Sequence, residues 1–103
     1  MTGRASRVKG ATAEREIVAI LKEHGFDCHR TPHSGALEWM PGDVTGTPWF
    51  IEVKRCEALR IPEWMNKATE QADGKPALLL FRRSREPWRV CVDLDEFLKI
   101  LEG

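Results

Sequence analysis

Several things are scarce in this 103-residue sequence, and each scarcity narrows its class. Only three cysteines occur, Cys28, Cys56 and Cys91, and they lie far apart. That spacing excludes a disulfide framework and favours a reducing cytoplasm, of a prokaryotic cell or a virus-infected host cell. The longest apolar run, Ala77 to Phe81, is far too short to cross a bilayer, so no membrane association is expected. Met1 to Lys9 is polar and basic with no apolar stretch after it, which leaves no sign of a signal peptide. Repeats and low-complexity tracts are lacking. There is no net charge either, 16 basic residues balancing 16 acidic ones, and a uniformly basic surface is thereby excluded. The distribution is uneven, however. Arg4, Arg7 and Lys9 precede any acid, Arg82, Arg83, Arg85 and Arg89 crowd a second stretch, and acids collect after Asp93. The length suits one compact domain over residues 1–103, with residues 1–10 expected as a flexible basic arm.

What is present centres on residues 43–54, Asp-Val-Thr-Gly-Thr-Pro-Trp-Phe-Ile-Glu-Val-Lys. Trp49, Phe50, Ile51 and Val53 favour strand, while Gly46, Thr47 and Pro48 supply a tight turn between two short strands. The two-residue period of a strand puts Glu52 and Lys54 on one face and Ile51 and Val53 on the other. Folding back about the turn brings Asp43 beside Glu52. Two adjacent carboxylates repel each other, and a divalent cation between them keeps both ionised at neutral pH. Hard oxygen donors suit Mg2+, with Mn2+ able to substitute. A lysine one pleat on can offset charge developing on a phosphate. Glu-x-Lys alone also fits an ordinary solvated strand; the spaced Asp43 and the apolar setting separate this stretch from that case.

The remaining elements read in order. Ala11 to His24 has helical periodicity, with Ala13, Ile17, Val18, Ile20 and Leu21 as an apolar stripe and Gly25 as its left-handed cap. Glu14 sits at the core-facing edge of the first turn, a position that an ordinary first-turn glutamate also occupies. Phe26 to Arg30 alternates as a first strand. His24, Cys28, His29 and His33 match no standard zinc spacing. Trp39 and Met40 are unusual for a solvated loop, and either pack on the core, stack on a base or meet a second subunit. Pro62 opens a helix reaching about Ala72, Ala77 to Phe81 is a strand buried on both faces, and Trp88 to Val92 is a last strand. Asp93 and Glu96 are placed as a capping box for a final helix buried through Leu94, Phe97, Leu98 and Leu101.

Asp43, eight residues and then Glu52-Val53-Lys54 resemble the motif of the PD-(D/E)XK nucleases. The proline departs slightly, since Pro41-Gly42-Asp43 separates it from the aspartate by one residue. Arg7 to Glu16, a basic-Lys-Gly turn followed by Glu-Arg-Glu, is similar to the opening of the archaeal-type Holliday-junction resolvases within that superfamily. Arg30 and Ser34 match a loop which in that family lies over the scissile backbone.

The resemblance spans essentially the whole chain and implies an α/β, restriction-endonuclease-like core, a small mixed sheet flanked by helices. It implies Glu14, Asp43, Glu52 and Lys54 as catalytic residues, and Glu14, Asp43, Glu52 and the carbonyl of Val53 as metal ligands. DNA is assigned to Arg7, Lys9, Arg15, Arg30, Ser34, Arg55, Arg60 and Lys67. The function it implies is a metal-dependent, structure-selective endonuclease that resolves four-way DNA junctions by paired cuts, acting as a homodimer. Other nucleases of this type, cutting nicks, flaps or ends, and a non-catalytic DNA-binding module of the same fold are the alternatives.

Overall fold

The computed structural model describes residues 3–32 and 42–103, with side chains of the first helix described from Gly10 onward. The elements are α1 (Gly3–Glu23), β1 (His29–Arg30), β2 (Val44–Thr45), β3 (Phe50–Arg55), α2 (Ile61–Ala72), β4 (Ala77–Arg82), β5 (Arg89–Cys91) and α3 (Leu94–Glu102). Their order is the one the sequence predicts. The five strands form one sheet, β1-β2-β3-β4-β5, antiparallel throughout except for the parallel β3–β4 pair at its centre. A parallel neighbour requires a crossover, and α2 is that crossover.

Alternation along β3 divides the core in two. Phe50 faces α2 and packs with Met65, Ala68, Ala72, Ala77, Leu79 and Phe81. Ile51 and Val53 face α1 and pack with Ala13, Ile17, Cys28 and Val44. β4 is covered on both sides, as its unbroken apolar run requires: Ala77, Leu79 and Phe81 are buried towards α2, and the half-buried Leu78 and Leu80 pack towards α1. On the α2 side of this core Met65 is buried and Trp64 packs half-buried against it.

α1 stops as its glycine requires. Gly25 has φ +94°, the Phe26 N–H donates to the Leu21 carbonyl at 3.0 Å, and the Gly25 N–H donates to the Lys22 carbonyl at 3.0 Å. Those two bonds are a Schellman motif. Phe26 then meets Trp49 edge-on, ring centroids 5.4 Å apart.

Three expectations need correction. The helix begins at Gly3, so residues 3–10, expected as an arm, are backbone-helical turns of α1. Asp93 precedes α3 in extended conformation but makes no side-chain capping bond. α3 itself buries none of its side chains: Leu94 is 68% exposed, Phe97 42%, Leu98 45% and Leu101 65%. A cavity of about 490 Å³ opens among Ile61, Phe81, Val90, Cys91, Val92, Leu94 and Phe97, beside the helix expected to close it.

Candidate active site

The hairpin delivers its aspartate by a backbone device. Gly42 has φ +68°, and a Cβ there would collide with the carbonyl of Ile51. Only glycine lets the chain lie this close to β3. The Asp43 N–H then donates to the Ile51 carbonyl at 2.7 Å, and the Asp43 carbonyl accepts the Thr31 N–H at 3.0 Å. With Val44 opposite Ile51, the ladder register sets Asp43 opposite Glu52. The Asp43 carboxylate accepts the N–H of Val53 at 2.8 Å, where no β2 residue pairs. A strand residue presents its N–H and C=O to the same side, so the Val53 carbonyl faces the same edge as Asp43.

Glu52 and Lys54 lie on the α2 face of β3. Lys54 Nζ stands 5.8 Å from the centroid of the Trp64 ring, a cation–π contact that fixes a flexible side chain. Burial drives the Glu52 carboxyl from 4.5 to about 7, reinforced by Asp43 and more weakly by Glu14, while Lys54 and Lys67 pull the other way. Opposed groups of this kind concentrate at functional sites.

Glu14 enters from α1, 8% exposed, with its Oε1 accepting Arg30 Nε at 3.1 Å. Glu14, Asp43, Glu52 and the Val53 carbonyl carry hard oxygen donors, the kind of chemistry that suits an octahedral divalent cation. Among the described residues, no three His, Cys, Asp or Glu side chains are already drawn together tightly enough to grip an ion.

The residues assigned to DNA are scattered. Arg15, Arg60 and Lys67 are exposed, Lys67 on α2 close enough for its charge to reach Glu52. Ser34 and the side chains of Arg7 and Lys9 lie outside the described residues, as do His33, Trp39 and Met40. Arg55 is engaged within the protein: its guanidinium donates to Glu16 Oε2 at 3.0 Å. Arg82 Nη2 and Trp88 Nε1 donate to Glu16 Oε1 at 3.4 and 3.2 Å, and Arg82 also stacks on Trp88 with 5.4 Å to the ring centroid. Sequence reasoning expected Glu16 to point elsewhere than Glu14 and missed this hub. A signal for it existed. Arg55 and Arg82 end two buried strands that pair residue for residue, and two adjoining guanidiniums there demand a carboxylate between them.

The mixed sheet, its crossover helix and the acid pair at one strand end define a nuclease core of the PD-(D/E)XK type. Residues 5–103 match the family described as "Phage putative PDDEXK endonuclease", and the chain belongs to that family. Among solved structures it is similar to Hjc, a Holliday junction resolvase from the archaeal hyperthermophile Archaeoglobus fulgidus. That likeness has a TM-score of 0.53 and 22% sequence identity, and covers 77% of this chain and 72% of Hjc. It shows the restriction-endonuclease-like fold. No curated protein matches the chain.

Proposed function

We propose that this chain is a single-domain, divalent-metal-dependent endonuclease that cuts branched DNA, with the four-way junction as its substrate. The observation that carries the reading is the Asp43–Glu52 pair, in which burial and a neighbouring carboxylate push Glu52 up to about 7. Two carboxyls set opposite each other in this way are relieved by a proton or by a cation, and their hard oxygens suit a divalent cation. Asp43, Glu52, Glu14 and the Val53 carbonyl would hold Mg2+, or Mn2+ in its place. The ion would supply the positive charge and the activated water that phosphodiester hydrolysis needs.

The chain's own groups do the rest. Lys54, held by Trp64 on the face of Glu52, offsets negative charge that grows on the phosphate. Arg30, Arg15, Arg60 and Lys67 contact the flanking backbone, together with Arg7, Lys9 and Ser34. Arg55 contributes mainly by anchoring the end of β3 to α1 through Glu16.

The junction is favoured over nicks or ends by the likeness to Hjc and by the sequence Arg7 to Glu16, which resembles the resolvase opening although Lys9-Gly10 lies within α1. Resolving a junction takes two cuts related by approximate twofold symmetry, which a homodimer supplies with one self-complementary interface. The uncovered apolar side of α3 offers area that a second copy could bury. Cleavage of four-way, forked and linear DNA in Mg2+ tests the reading, with paired cuts expected in the four-way junction. Equal cleavage of linear DNA would remove the structure selectivity, and cleavage that persists in chelator would remove the metal.

A further inference from the structure

The pairing of Arg30 with Glu14 joins a residue assigned to DNA with a residue assigned to metal. We propose that Arg30 is a built-in stand-in for the divalent cation: it neutralises Glu14 in the metal-free protein and is displaced when the ion binds. Its guanidinium is then free for a DNA phosphate. This rests on the nuclease reading above and adds to it a coupling between metal and DNA.

Four observations support the exchange. Glu14 is 8% exposed, and a carboxylate so buried is stabilised by a positive partner. Arg30 provides one at 3.1 Å, with side-chain exposure of 32% against 11% for Glu14. Arg30 is therefore the partner with a route to solvent. Glu14 projects from the interior of a 21-residue helix, whereas Arg30 ends a two-residue strand at the sheet edge. Between a rigid carboxylate and a long side chain on a short edge strand, the guanidinium is the group that moves. Finally, Arg30 pairs with Val44, and Thr31 is bonded to Asp43, so the guanidinium starts beside the metal donors.

Charge decides the direction of the exchange. A divalent ion carries twice the charge of a guanidinium and approaches a carboxylate oxygen to about 2.0–2.1 Å when it is Mg2+. Arg30 cannot lose its proton and so cannot leave as a neutral group. Beside the bound ion it is a like charge, and a phosphate is the partner that relieves it. Metal binding thus raises affinity for DNA, and DNA raises affinity for metal by the same factor.

Titration of the DNA-free protein with Mn2+ by calorimetry gives a test with no turnover in it. Arg30→Gln keeps a hydrogen-bond donor but removes the charge, and should bind Mn2+ about tenfold tighter than wild type. Arg30→Lys, which keeps the charge, should bind it as wild type does. With Ca2+ present so that DNA is bound without being cut, the gain in junction affinity on adding the ion should shrink to nearly nothing in Arg30→Gln. Unchanged or weaker Mn2+ binding by Arg30→Gln overturns the proposal; a 10- to 100-fold loss would mean that Arg30 orients Glu14 as a ligand. Asp43→Asn keeps the two failures apart. If it leaves Mn2+ affinity untouched, the metal site and the nuclease reading fail together. If it abolishes binding while Arg30→Gln has no effect, only the exchange is wrong.

Discussion

The two faces of β3 handle charge in opposite ways. Towards α1, Arg55 meets Glu16, which also receives Arg82 and Trp88, so that each carboxylate oxygen has a donor of its own. Towards α2, Glu52 has Asp43 as its strongest charged neighbour, and its carboxyl is pushed up to about 7. The first arrangement satisfies the carboxylate within the protein and serves the fold, although among the described residues Arg55 Nε and Arg82 Nε are buried without hydrogen-bond partners. In the second, burial first and the neighbouring Asp43 next disfavour the charged form of Glu52, despite Lys54 and Lys67, an arrangement that favours a bound cation. The same six-residue strand carries both, separated only by the pleat.

Breaking the α2 face should give the largest effect. Asp43→Asn or Glu52→Gln is expected to lower the cleavage rate by about a thousandfold or more, with junction binding unchanged or tighter because anionic repulsion is relieved. Single-turnover cleavage and a binding isotherm on the same DNA separate the two quantities. Lys54→Ala comes next, with about a hundredfold loss in rate and little change in affinity; an equal fall in both would make Lys54 a simple phosphate contact. The α1 face should answer in stability instead. Glu16→Ala leaves two partly buried guanidiniums without their carboxylate and should cost about 2 kcal/mol in urea unfolding. A neutral result there would make the hub ornamental.

The contrast also predicts a pH dependence. Glu52 is raised in the folded protein from 4.5 to about 7, so the folded state holds its proton more tightly than the unfolded one. The stability this contributes is complete below pH 4.5 and is lost as pH rises through about 7. In chelator the loss should be about 2 kcal/mol, since solvent at a half-buried carboxyl reduces the full value. Glu52→Gln should lose that dependence, and a divalent ion should suppress it; a flat profile for the wild type would contradict the burial argument. The smallest effect is on DNA affinity: neutralising Arg60 or Lys67 should reduce the salt slope of binding by about one.

Element types and order were legible because each element carries its own local signal: the stripe and Gly25 cap of α1, the unbroken run of β4, the turn of the hairpin. The placing of Asp43 beside Glu52 was legible for the same reason, since pleat and turn fix register over short distances. Where reasoning failed, the deciding contact lay far along the chain. The Glu16 hub joins residues 39, 66 and 72 positions away, and nothing near Glu16 announces them. The pairing of Glu14 with Arg30 is likewise invisible until α1 and β1 are laid side by side. α3 misled in the opposite sense. Its pattern is strongly amphipathic, which shows that it has an apolar side but not what that side meets.

That helix has a consequence for the order in which the molecule comes apart. Removing α3 from the body uncovers little that is not already wet, because its large side chains are 42–68% exposed where it lies. Opening free energy follows the area newly exposed, so α3 amides should exchange with deuterium through a local event well below global unfolding. The β3–β4 amides, between the two halves of the core, should exchange only when the whole domain opens. The transiently bared stretch from Leu94 to Leu101 is also the part of the described chain most prone to self-association when the protein is concentrated.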